Sequence, residues 1–241
     1  MSKNFPANSV ISSYVSTENM LKDILQIVPF CDEHENVWSP KLVTIILESC
    51  SQLDSLWKSQ ALNSPCVSKT NLNVSDYFEF FGETMSKRWV VFYGELPQKL
   101  CPFDNWSSVL KFKANDYSKH ELKWWNTYNK LKHDRLQNLS KAILKDAVLS
   151  LAGLFIAIIK CEFCRDAIAQ AGWLNGNNDE PYNISAWLTE DSPSVKLQYV
   201  SVESNLFTYP VGWCEEKVSK GFGWSAPAST RFLHWFDKNE S

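Results

Sequence analysis

The stretch Ala147–Ile159, AVLSLAGLFIAII, constrains this chain more than any other: it carries no charge, and Lys145, Asp146 and Lys160 flank it. A membrane-spanning helix needs about 20 apolar residues. This stretch is too short to cross a bilayer and too apolar to face water, so it predicts a helix buried on all sides and no membrane partner. The helix is expected to run over Leu139–Gln170. A chain of 241 residues can surround it, because a domain of that size buries roughly 70% of its unfolded surface.

The surrounding elements follow from periodicity and stop signals. A first helix is expected over Glu18–Ile27, capped by Ser16 or Thr17 and stopped by Pro29. A second begins at Ser39-Pro40, with Leu42, Ile46, Cys50, Leu53 and Trp57 on one face. Gln60–Asn73 reads as a loop and Asp76–Met85 as a short helix. Arg88–Glu95, RWVVFYGE, reads as a strand, and Leu96–Trp106 as a turn-rich connection. Ser118 and Glu121 fit a capping box that starts a helix ending near Arg135. Asn175–Asn183 reads as an exposed loop. Val195–Val202 and Leu206–Tyr209 predict a β-hairpin around Glu203–Asn205. The fold class is mainly α: an antiparallel helical domain over residues 1–185, with a small β-containing tail over 186–241 packed on it.

Aromatic residues make up 14% of the chain, with 11 Trp, and the net charge is −3. That composition excludes disorder and supplies no global field toward nucleic acid. The tail aromatics Trp213, Phe222, Trp224, Phe232, Trp235 and Phe236 suit an interface or base stacking, and most of them read as core. Seven cysteines in an irregular pattern, without a secretory apolar run at the N-terminus, read as reduced thiols in a cytoplasm. On that reading the N-x-S/T sequons, such as the one at Asn73, are chance matches. Cys161 and Cys164 form the one CEFC pair; a structural zinc site needs a second pair or two histidines at fixed spacing, so no metal is expected. No P-loop, G-x-G-x-x-G, H-E-x-x-H or G-x-S-x-G occurs, and no cofactor is implied.

The segment Trp124–Arg135, WWNTYNKLKHDR, concentrates polar chemistry. On a helix Trp125, Asn129 and His133 share one stripe, with Tyr128 and Lys132 beside it. Asn129 and His133 offer donors and acceptors, and Lys130, Lys132 and Arg135 add positive charge. Such a set can hold a phosphate and move a proton, or form a satisfied polar seam between helices. For the seam, the partners are Glu48 and Asp54 of the second helix, with His133 buried against one of them. Lys58 reads as solvent-facing.

Two antiparallel helices with a late Asn-x-x-x-His on the second resemble the HEPN superfamily. The resemblance runs over about Ser39–Lys160, on LESCSQLDSLWK, WWNTYNKLKHDR and the apolar helix that follows. It extends to uncharacterised bacterial proteins with HEPN-like helices, some from toxin or phage-defence contexts. Active members of the superfamily carry Arg-Asn-x-x-x-His and cleave RNA as dimers. Here Asn129 and His133 match, and Tyr128 stands at the arginine position. The resemblance therefore implies a non-cleaving interaction protein, with a protein partner or a second copy, in bacterial defence or toxin–antitoxin biology. The alternative it implies is a metal-independent endoribonuclease: His133 as general acid/base, Asn129 orienting the phosphate, Lys132 or Arg135 stabilising charge. A small-molecule sensor is a third class, with no motif behind it.

Overall fold

A computed structural model describes residues 5–62, 71–86, 88–93, 97–175 and 201–210. Its helices are α1 (Ala7–Leu25), α2 (Pro40–Leu62), α3 (Val74–Ser86), α4 (Lys123–His133), α5 (Arg135–Asn138), α6 (Leu144–Ile159) and α7 (Arg165–Gln170). Its strands are β1 (Val90–Tyr93), β2 (Pro97–Leu100), β3 (Leu174–Asn175), β4 (Ser201–Glu203) and β5 (Phe207–Pro210).

Helix α6 is the centre, and every residue in it except Lys145 and Leu149 is buried. It packs chiefly on α2, with α1 and α4 against both. The backbone N–H groups of Leu144 and Lys145 donate to the carbonyls of Val37 (2.8 Å) and Glu35 (3.0 Å). The loop before α2 thus satisfies two of the donors that any helix start leaves open. No single helix among the described residues is long and apolar enough to cross a membrane.

Helix α2 follows its apolar period: Leu42, Ile46, Cys50, Leu53 and Trp57 are all buried, and Ser39 Oγ accepts from the Lys41 N–H at the start. Helix α1 begins at Ala7, well before the expected Glu18. Its early residues Val10, Ile11 and Val15 are poor helix formers, and burial of Ile11 and Tyr14 against the core decides the matter. Thr17 is inside the helix, donating to the Ser13 carbonyl, and caps nothing. Helix α3 starts on Asn73: its side chain accepts from the Ser75 N–H at 3.0 Å, and Asp76 reaches back to the Asn73 N–H at 2.8 Å.

The expected Leu139–Gln170 helix is broken. Residues 139–141 form a separate turn, α6 stops at Ile159, and the segment that follows turns away by 82°. Gly172, at φ +70, closes α7 in the left-handed conformation that favours glycine. Of the expected loop at Gln60–Asn73, Gln60–Leu62 belong to α2 and 63–70 lie outside the described residues, as do 176–183.

The strands form one antiparallel sheet in the order β2-β1-β5-β4-β3. Strands β4 and β5 form a hairpin over the described end of the expected one, pairing Val202 with Tyr209 and Glu203 with Thr208; 195–200 lie outside the described residues. Strand β5 also pairs with β1, Phe92 opposite Phe207. Strand β2, Pro97–Leu100, sits where only a turn-rich connection was expected. Along β1 the side chains alternate: Val90 and Phe92 enter the main core, while Trp89 and Val91 form a small cluster on the other face. The 185/186 boundary and the tail aromatics from Trp213 onward lie outside the described residues.

Candidate functional site

Helix α4 presents Trp124, Trp125, Tyr128 and Leu131 to the core. Trp125 stacks on Trp57 of α2 at 6.1 Å, and Trp124 meets Phe103 edge-on at 5.8 Å. The start of α4 is later than the Ser118/Glu121 box predicts. Ser118 lies in a 3-10 turn, Ala114–Lys119, and Leu122 is the residue before the first helical turn. The Glu121 carboxylate instead accepts from Asn126 Nδ2 at 2.7 Å.

The end of α4 decides what the candidate stripe can do. Along it Trp125 is buried, Asn129 half-buried and His133 exposed. Asp134 leaves the helix with φ −147 and ψ 72 and caps α5, accepting from the Gln137 N–H at 3.4 Å. Lys130, Lys132, His133 and Arg135 consequently stand in solvent at the α4–α5 corner, with Leu136 exposed among them. Glu48 is also exposed, and Asp54 is half-buried. Among the described residues no hydrogen bond joins His133 to either, so the expected burial of His133 against them does not occur.

The polar contacts beside the stripe are made by other atoms, within α4 and between α2 and α3. Tyr128 is buried, with Lys132 Nζ 5.3 Å from its ring centroid. Burial pushes the Tyr128 phenol up, and Lys132 opposes that. Asp54 faces Tyr77 of α3, whose hydroxyl donates to the Asp54 carbonyl at 3.4 Å. Burial and then Asp54 push the Tyr77 phenol up.

Two buried carboxylates were not singled out from the sequence. Asp146, read there as a flanking charge, is buried under α4 and accepts from Thr127 Oγ1 at 2.6 Å. Burial pushes its carboxyl up, with Thr127 and then Lys123 and Lys145 pulling the other way. Glu18 of α1 is fully buried. Its carboxylate accepts from the hydroxyls of Tyr14 (3.0 Å) and Ser204 (2.5 Å), and from the backbone N–H groups of Asn205 (3.2 Å) and Leu206 (2.9 Å). Asn205 Nδ2 adds another donor at 3.2 Å. The three partners of Glu18 in the β4–β5 turn, Ser204, Asn205 and Leu206, lie far along the chain, so no local pattern points to them.

Among the described residues no group of three or more His, Cys, Asp and Glu side chains could hold a metal. Cys161 and Cys164 are buried. They bracket the turn that breaks α6 from α7, not two positions of a continuous helix as the sequence suggests. No protein-family model, no curated protein and no solved structure matches the chain.

Proposed function

We propose that the chain is a HEPN-like interaction protein that does not cleave RNA, with the α4–α5 corner as its contact surface. The observation that carries this is Tyr128. At the position where active HEPN members hold an arginine, this chain buries an aromatic ring against Trp125 at 5.3 Å. A guanidinium would be available to a phosphate; this phenol is committed to the helix contact. Exposed Leu136 within the cluster Lys130, Lys132, His133 and Arg135 suits an acidic protein partner, since complementary charge steers association. A bacterial defence or toxin–antitoxin setting belongs to the same reading. Co-purification from the native host with the full chain as bait tests it: a stoichiometric partner lost in Arg135→Glu/Leu136→Asp supports the corner, and a partner indifferent to both changes sinks it.

The exposure of His133 favours one second reading, a metal-independent endoribonuclease. There His133 exchanges the proton, Asn129 orients the phosphate, and Lys132 or Arg135 stabilises developing charge. RNA cleavage by purified protein in the presence of a chelator, lost in His133→Ala, would establish it in place of the first.

A further inference from the structure

The break between α6 and α7 is also a thiol site. Cys164 N–H donates to the Cys161 carbonyl at 2.9 Å. Such a closure across three residues holds the two Cα atoms within about 7 Å, and disulfides span roughly 4.4–6.8 Å. Both thiols are buried, on either side of this turn. The thiolate is the nucleophile in disulfide exchange. The Cys161 thiol is held below the usual thiol range, chiefly by Cys164, and Cys164 is pushed up by Cys161 and then by burial. Burial pushes the Cys50 thiol up.

We propose that Cys161 and Cys164 form a reversible dithiol–disulfide pair, with Cys161 attacking a low-molecular-weight disulfide and Cys164 resolving the adduct. In the first step Cys161 Sγ bonds to one sulfur of R–S–S–R, whose other sulfur leaves as RS⁻. The negative charge that held the Cys164 proton is then gone, and that proton passes to RS⁻. Cys164 Sγ next attacks Cys161 Sγ and displaces the second RS⁻. In sum, the Cys161 thiolate, the Cys164 thiol and one disulfide become one protein disulfide, one RSH and one RS⁻, which takes back from solvent the proton that Cys161 gave up on ionising; the two electrons go to the small molecule. Both sulfurs are buried, near Phe163, which stacks on Phe5 at 5.2 Å. The reaction therefore runs through local opening of the six-residue α7 and its turn. The bond pins the 82° corner from which Trp173 leads into β3.

The test is to incubate the full chain with excess glutathione disulfide, alkylate the remaining thiols and map the cysteine peptides by mass. The expected result is a Cys161–Cys164 peptide lighter by two hydrogens and restored by dithiothreitol. Cys164→Ser is expected to stop as a glutathione adduct on Cys161, and Cys161→Ser to leave Cys164 unmodified. Full alkylation of both cysteines after incubation, or an adduct that sits on Cys164, overturns the proposal. Mapping of the unaltered chain decides between these results on its own if a serine variant does not fold.

Discussion

Among the described residues Glu18 pairs with no cation; hydroxyl and N–H donors from α1 and the β4–β5 turn hold its carboxylate. Hydrogen bonds to a charged group contribute about 1.5–3 kcal/mol each, and abandoned buried donors cost more than the bond itself gained. Glu18→Ala is therefore expected to lower unfolding free energy by about 3 kcal/mol or more, and Glu18→Gln by a smaller amount, because an amide nitrogen must face donors. Denaturant titration reads both; an unchanged midpoint in Glu18→Ala contradicts the assignment. Asp146 links stability to pH. Burial raises its folded carboxyl above the unfolded value, so its contribution is fully present below the unfolded value and is lost as pH rises through the folded one. Asp146→Asn keeps a partner for Thr127 and removes that loss. Its stability relative to the unaltered chain should rise from acid toward neutral pH, and a difference independent of pH would show that burial does not act on the ionised form. His133 is exposed, so His133→Ala should change stability by less than about 0.5 kcal/mol, which thermal melting checks.

At the scale of elements, the structure shows which signals were legible. The α2 face was readable because its apolar period runs unbroken from Leu42 to Trp57 and all of it is buried. The α3 and β1 segments were readable for the same reason of dense apolar pattern between polar ends. The start of α4 was not: Ser118 and Glu121 match a capping box, but Tyr117 is drawn into the core against Phe78 at 5.8 Å and holds Ser118 in a 3-10 turn. The α6–α7 break was hidden because Cys161, Phe163 and Ile168 continue an apolar pattern through it. Strand β2, PQKL, has no strand composition and exists because β1 offers it an edge. His133 was misplaced by one consequence of the early α4 stop: at the last residue of a helix the stripe no longer has a neighbour to pack on. Close packing in the middle of α6 gives another test. A Cβ at Gly153 would lie 3.3 Å from Trp124 and 3.4 Å from Phe103. Gly153→Val must push those rings apart, which is expected to destabilise by about 1–3 kcal/mol, whereas an increase in melting temperature would mean the rings have room to move.

For the molecule as a whole, the question is whether the sheet is an appendage of the helices or part of their fold. A lone two-stranded hairpin is marginal in water, so β4 and β5 need something to hold them. Phe207 packs on Phe155 of α6 at 5.7 Å and on Phe92 of β1 at 5.6 Å. Val202, Leu206, Phe207 and Tyr209 belong to the same buried cluster as α1, α2, α4 and α6. Polar contacts tie the same hairpin down: Glu203 N–H donates to the Trp173 carbonyl at 2.7 Å, Leu206 N–H to Glu18, and Tyr93 N–H to the Leu206 carbonyl at 2.9 Å. The hairpin shares its core with the centre of the helical body, so the amides that tie it down are expected to open with that centre, while a short surface element such as α7 opens locally. Native-state hydrogen exchange should therefore find Glu203, Leu206 and Tyr93 protected to the same free energy as amides in the middle of α6. Glu18→Ala should then speed both groups by the same factor, because each kilocalorie lost is lost by the whole unit. Fast exchange at Glu203 and Leu206 in the unaltered chain, or acceleration in Glu18→Ala confined to the hairpin, would instead make β4–β5 a separately opening piece docked on an independent helical body.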